Sequence, residues 1–418
     1  MLHADFLIRN AKEILTCAGA GPLAGSRQGH VSAVSNGSLA SLDGVIQFVG
    51  PAAEAASRVT LLPGAVVIDA DDCAIVPGFV DAHTHAVFAG DRRAELRRRL
   101  GGATYAEIAA GGGGIVSTVE ATREATEEEL IAESRPRLDE MLASGTTTCE
   151  IKSGYGLDLA SELRILRAIR SLQHSHATDI VATFMGAHEI PPEYRDRRDE
   201  YVELVIREML PAVAADKLAA WCDVFCETGV FTPAESRRIL DAGIQHGLKP
   251  RIHADELGPS GGSQVAAQVG ARSADHLIFV PDDGIQALAT AGVVATLLPN
   301  AAFYLKLGRF APARKLIDAG VPVALATDVN PGGGFSPSMP FAIALACFSM
   351  NMTFEEALVA ATANGAWSLD LSDSVGSLEA GKRADAVIVR GEAINLIRMG
   401  APSISAVVKG GQVVGPTH

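Results

Sequence analysis

AIVPGFVDAH (74–83), carried on by Thr84 and His85, is a near-continuous apolar run that delivers two histidines at its end. A run without polar alternation reads as a strand buried on both faces, the habit of parallel sheets. Seven similar runs follow: GTTTCEIK (145–152), IVATFMGAH (180–188), CDVFCE (222–227), LKPRIHAD (248–255), SADHL (273–277), VVATLLP (293–299) and VPVALATD (321–328). Amphipathic helical patterns lie between them. Thr126 with Glu129 and Thr232 with Glu235 form capping boxes, Pro233 sits at a first helical position, and Gly145 and Gly247 close helices just before the next strand. Strand–helix alternation repeated eight times over roughly 250 residues predicts a (β/α)8 TIM-type barrel. The rival, a doubly wound open sheet, loses weight because no Gly-x-Gly-x-x-Gly follows the first run.

The flanks read differently. DFLIRN (5–10), GVIQFVG (44–50) and AVVIDA (65–70) are short strands at one end. ADAVIV (384–389) and ISAVVKGGQVV (404–414) are strands at the other, the last a hairpin about Gly410-Gly411. The expectation is a discontinuous small β domain, a β-sandwich from residues 1–70 and 376–418, with the barrel catalytic domain over 71–375.

Composition narrows the function. The 418 residues are 48% hydrophobic and 20% charged, which supplies a large core and excludes wholesale disorder. A net charge of −14 argues against nucleic-acid and anionic-membrane partners, though not against a small anion met by a local arginine. The six cysteines make no Cys-x-x-Cys pair, so reduced thiols in a cytoplasmic protein are expected. Asp5 and Arg9 interrupt the N-terminal apolar run, unlike a signal peptide. The apolar stretch Met339 to Met352 is too short to span a bilayer.

Barrel enzymes carry their chemistry at the C-terminal ends of the strands. The residues there are His83 and His85, Lys152 and Tyr155, His188 and Glu189, Glu227 and Thr228, His253 with Asp255 and Glu256, Asp275 and His276, Pro299 and Asn300, and Asp328 with Asn330. Five of the 11 histidines fall at these ends. His174, His176 and His246 precede strands, on the opposite face, so position gives the His-x-His pair its force. Period-two geometry points His83 and His85 the same way. With His253 and Asp328 they make three imidazoles and a carboxylate, a set that suits a transition metal and leaves room for a water. Glu256 is then a candidate general base, and His276 a candidate proton shuttle or oxyanion stabiliser.

PGFVDAHTH (77–85) resembles the first-strand motif of the amidohydrolase superfamily, and VGSLEAGKRADAVIV (375–389) is similar to its C-terminal return. Within that superfamily FAGDR (88–92), EIKSGYGL (150–157), FMGAHEIPPEY (184–194), HADEL (253–257), LLPNAAFYL (297–305) and ATDVNPGG (326–333) resemble the imidazolonepropionases of histidine degradation. The resemblance implies hydrolytic opening of the cyclic amide of 4-imidazolone-5-propanoate to N-formimidoyl-L-glutamate, and a homodimer. It implies His83, His85, His253 and Asp328 as metal ligands, and Glu256, His276 and Asp328 as catalytic residues. Substrate contacts would come from Arg92, Tyr155, His188, Glu256, Asn330, Gly332 and Gly333. An arginine fork suits the propanoate carboxylate, with Arg93 as the neighbouring alternative.

Many binuclear members of the superfamily this chain resembles carry a carboxylated lysine at the end of strand 4; here that strand ends in Glu227-Thr228, so the resemblance implies one metal ion, zinc or iron, rather than a bridged pair. Lys152 reads as a buried cation paired with Glu150 or Glu227. The Gly111–Gly114 run reads as a mobile loop over the site. Two other functions compete. A deaminase of a cyclic amidine or purine-like base would use the same ligands without needing Arg92. A non-catalytic scaffold would lack ligands that are all present.

Overall fold

The computed structural model describes residues 1–103, 107 and 113–415. Eight parallel strands follow one another in the order of the chain: β6 (Phe79–Asp81), β7 (Thr146–Lys152), β8 (Asp179–Ala187), β9 (Trp221–Cys226), β10 (Lys249–Ala254), β11 (Ser273–His276), β12 (Val294–Leu297) and β13 (Val323–Leu325). The first and last meet at the mouth, where the Asp328 N–H donates to the His83 carbonyl at 3.0 Å and the His85 N–H to that of Val329 at 2.8 Å. The sheet thereby closes into the expected barrel.

Both chain ends enter a second sheet of eight strands. β1 (Leu2–Leu15), β2 (Ala33–Leu42), β3 (Val45–Pro51), β4 (Val59–Asp69) and β5 (Cys73–Pro77) come from one end, and β14 (Ala386–Arg390), β15 (Ile404–Lys409) and β16 (Gln412–Gly415) from the other. The order is β16-β15-β14-β5-β1-β2-β3, with β4 paired to β1. Hydrogen bonding makes this one mixed sheet. Phe6, Ile8, Ile14, Leu39, Ile75, Ile388 and Val408 share a single buried cluster on it. The hairpin about Gly410-Gly411 forms as its glycines require, with φ of 55° and 73°.

One reading is corrected. AIVPGFVDAH is not a single strand. Its first half is β5, in the terminal sheet between β1 and β14, and its second half is β6, in the barrel. Gly78 is the crossing point. A Cβ there would lie 2.3 Å from the Thr147 hydroxyl oxygen, so only glycine lets the chain pass this close to β7. Continuous apolarity hid the break, because both halves are buried.

The capping boxes hold. Thr126 caps the helix Glu127–Ala143 and Thr232 caps Pro233–Gln245, each with its glutamate reciprocating. Gly145 and Gly247 follow those helices with φ of 96° and 82°. Of the Gly111–Gly114 run, read as a mobile loop, 111 and 112 lie outside the described residues; the Gly114 amide donates to Glu95. No helix among the described residues is long and apolar enough to cross a membrane.

Candidate active site and metal centre

Thr84 turns away from the barrel axis and donates its hydroxyl to the Glu150 carbonyl at 2.7 Å, so His83 and His85 turn inward together, ring centroids 5.3 Å apart. His253, at the end of β10, brings Nε2 to 3.3 Å from His85 Nε2. Asp328 enters from the seam, its Oδ1 3.6 Å from His83 Nε2 and 3.8 Å from His85 Nε2. One nitrogen from each of His83, His85 and His253 lies within 4.8 Å of the others, and so do donor atoms of His83, His276 and Asp328. Asp328 and His276 hold φ of 54° and 74°, a left-handed conformation that costs non-glycine residues energy.

Two carboxylates fix the imidazoles. Asp275 Oδ2 lies 2.7 Å from His83 Nδ1, and Asp223 Oδ1 lies 3.0 Å from His253 Nδ1. A carboxylate can only accept, so each Nδ1 carries a proton and each Nε2 is the nitrogen turned towards the centre. His83 Nε2 is buried with no hydrogen-bond partner among the described residues. Three imidazole nitrogens and a carboxylate form a donor set that a divalent or trivalent cation fits.

Beneath this set lies a buried ionic network. Lys152 Nζ is 2.7 Å from Glu150, 2.8 Å from Asp223 and 3.7 Å from Asp275. Arg251 is 3.5 Å from Asp275 and donates to the carbonyls of Ala82 and Ser368. Two cations therefore face three fully buried carboxylates, and the excess negative charge lies just below the imidazoles. Burial opposes the charge on Asp223, but His253 and Lys152 outweigh it and hold the carboxyl well below its usual range. Burial likewise opposes the charge on Lys152, and Asp223 with Glu150 raises it nonetheless. Of its expected partners, Glu150 is present and Glu227 is not. Glu227 accepts the amides of Thr228, Glu256 and Leu257 instead, and so shapes the loop after β10.

Above the donor set a cavity of about 460 Å³ opens. Arg92, Tyr155, His188, Glu256, His276, Asn330, Gly332 and Gly333 all border it, and so does Glu189. Arg92 is clamped by Glu95 through Nε at 2.9 Å and Nη2 at 2.8 Å. Arg93 is paired with Asp91 in solvent and does not line this cavity. Asn330 spends its side chain on its own loop, accepting the Gly332 and Gly333 amides at 2.8 and 2.6 Å. Ile115, Phe225, Leu257, Leu305 and Leu307 supply an apolar wall. Leu257, Leu305 and Leu307 lie in loops, where sequence periodicity carries no signal.

Burial sets the protonation of the site. It holds His83, His85 and His276 well below the ordinary imidazole range and His188 down to about 3, so these rings are neutral. It pushes Asp328 up to about 8, a cost that a cation alongside removes. Glu256 is raised well above the carboxylate range, first by burial, then by Asp328 and Glu227; its Oε1 lies 3.6 Å from His276 Nδ1.

Residues 74–416 match the Amidohydrolase family. Imidazolonepropionase of Symbiobacterium thermophilum is 49% identical, over 99% of this chain and 98% of that protein. Imidazolonepropionase of Brevibacillus brevis is 48% identical over 97% of each. The chain belongs to the imidazolonepropionases of the amidohydrolase family. Among solved structures, a triazine hydrolase variant superposes with a TM-score of 0.74 at 19% identity, covering 98% of this chain and 94% of that one. A zinc-bound adenosine deaminase from Xanthomonas campestris gives 0.70 at 20%, covering 99% and 93%. These two establish the shared amidohydrolase architecture, and the imidazolonepropionases set this chain apart within it.

Proposed function

We propose that this chain opens the ring of 4-imidazolone-5-propanoate by hydrolysis, giving N-formimidoyl-L-glutamate, with one zinc or iron ion held by His83, His85, His253 and Asp328. The observation that carries the reading is one cavity with a donor set at its floor and a clamped arginine on its wall, in a chain about half identical to imidazolonepropionases. When bound, the cation supplies Lewis acidity, lowering the pKa of water and polarising a carbonyl.

The residues divide the remaining work. Arg92, held rigid by Glu95, offers its fork to the propanoate carboxylate. Tyr155 and His188 border the ring, and Asn330 shapes the loop that presents the Gly332 and Gly333 backbone. Glu256 takes a proton from the attacking water. Burial raises its proton affinity, so the carboxylate is a stronger base and keeps the proton it takes until the leaving ring nitrogen accepts it. His276 stabilises the charge that develops on the carbonyl oxygen. The amide C–N bond breaks, and the ring carbonyl becomes the new carboxylate of the product.

A single ion is favoured because Glu227 is committed to three backbone amides and Lys152 to two carboxylates, so neither is free among the described residues to bridge a second ion. A cytoplasmic homodimer completes the proposal, resting on the resemblance. The test is ultraviolet loss of freshly generated 4-imidazolone-5-propanoate, beside His253→Ala. Turnover reduced about 10³-fold by the substitution, with loss of bound metal, is expected. Metal-replete enzyme no faster than the spontaneous decay would move the function to another cyclic amide or to a deaminase.

A further inference from the structure

Glu162 lies in the first turn of the helix Leu159–Ser175 and has no exposed surface. Its two oxygens gather the loop that precedes the helix. Oε2 accepts the Gly154 amide at 3.0 Å, and Oε1 accepts those of Gly156 and Leu157 at 2.7 and 2.9 Å. Ser153 adds a side-chain bond, and its hydroxyl oxygen also accepts the Met185 amide at 2.9 Å. The loop joining β7 to its helix is thus wound around one buried carboxylate. Charge-assisted bonds of this kind are the stronger class, and the helix N-terminus favours the negative charge.

The loop passes this order to the cavity. The Gly154 carbonyl lies 3.0 Å from His188 Nδ1. A carbonyl only accepts, so Nδ1 carries the proton and Nε2, on the far edge of the ring, is a bare acceptor. Nε2 has no protein hydrogen bond among the described residues and is not among the buried orphaned atoms, as expected of an atom open to the cavity. Gly154 has φ of 111°, and a Cβ on it would lie 2.9 Å from His188 Nδ1, so the contact is built for glycine. His188 is further held by stacking on His85, with centroids 4.8 Å apart and 17° between planes.

We propose that Glu162 is a positioning residue for substrate recognition: by gathering the 154–157 amides it fixes the Gly154 carbonyl, and through it the tautomer in which His188 accepts a ring N–H of the substrate. The proposal rests on the reading of this cavity as the imidazolone site. It makes His188 a reader of a ring hydrogen, selecting rings that present N–H at that edge.

The test uses the metal-loaded enzyme carrying 15N-histidine, with the His188 resonances assigned by their absence in His188→Gln. Wild type should show His188 protonated at Nδ1. Glu162→Gln replaces an acceptor oxygen with a donor, so His188 should move towards the Nε2-protonated form. KM should rise about tenfold with kcat nearly unchanged and metal content unaltered. Gly154→Ala should give the same signature from the other end of the relay. A wild-type His188 protonated at Nε2, or a Glu162→Gln enzyme with unchanged KM and tautomer, overturns the proposal. If wild type fails to turn over the imidazolone, the substrate reading falls, while the tautomer shift in the variant still decides Glu162; should Glu162→Gln not fold, Glu162→Asp, which draws the carboxylate back from the Gly156 and Leu157 amides, is read by the same tautomer shift.

Discussion

The barrel interior and the core of the terminal sheet are both buried, and they are filled with opposite materials. The sheet's core is Ile8, Ile14, Leu39, Ile46, Ile75, Ile388 and Val408, with no charge among them. The barrel's upper layer is Glu150, Lys152, Asp223, Arg251 and Asp275, all without exposed surface. Apolar contacts gain stability by area and tolerate imperfect geometry. Buried ion pairs gain little net stability, because desolvation offsets attraction, but they punish the loss of one partner. The sheet therefore holds the chain ends together, while the barrel layer holds imidazoles at fixed angles.

That contrast is sharpest at Lys152. Lys152→Met leaves Glu150 and Asp223 facing each other uncompensated, and should cost about 3–5 kcal/mol. Urea unfolding at matched metal content measures it, and competition with a chelator should show weaker metal retention through the freed Asp223–His253 pair. A variant as stable and as metal-tight as wild type would erase the distinction. Ile75→Ala is its counterpart in the terminal sheet, a cavity between Ile14 and Ile388 that should cost about 2–4 kcal/mol in the same unfolding experiment. Turnover per folded molecule and metal content should not change; a loss of either would mean the sheet tunes the site through Gly78. Smallest is Thr232→Ala, which removes a cap on the barrel's outside and should cost about 1 kcal/mol by thermal melting, with kinetics untouched.

Sequence reading reached the residues whose type and position coincide. His83, His85, His253 and Asp328 are polar groups at the ends of apolar runs, and the capping boxes and hairpin glycines have local signatures. It missed what depends on neighbours distant in the chain. Asp223 sits inside CDVFCE with nothing nearby to mark it, and its role appears only when β9 lies beside β10. For the same reason the sequence offers Glu150 or Glu227 as the partner of Lys152, and the structure pairs it with Glu150 and with Asp223. The passage from β5 to β6 was hidden because two sheets bury consecutive halves of one apolar run; Pro77-Gly78 was the only mark of it.

The seam between β6 and β13 has a consequence in time. Asp81 and Thr327, joined across it, are 246 positions apart, and Asp328 follows directly. A ribosome releases three of the four proposed donors well before the last. Until the chain through Asp328 has emerged and the barrel has shut, no complete nest for the cation exists. On the proposed ligand set, a cation would find its full set of donors only after the eighth strand has closed the barrel, and a truncation short of that strand is expected to bind none.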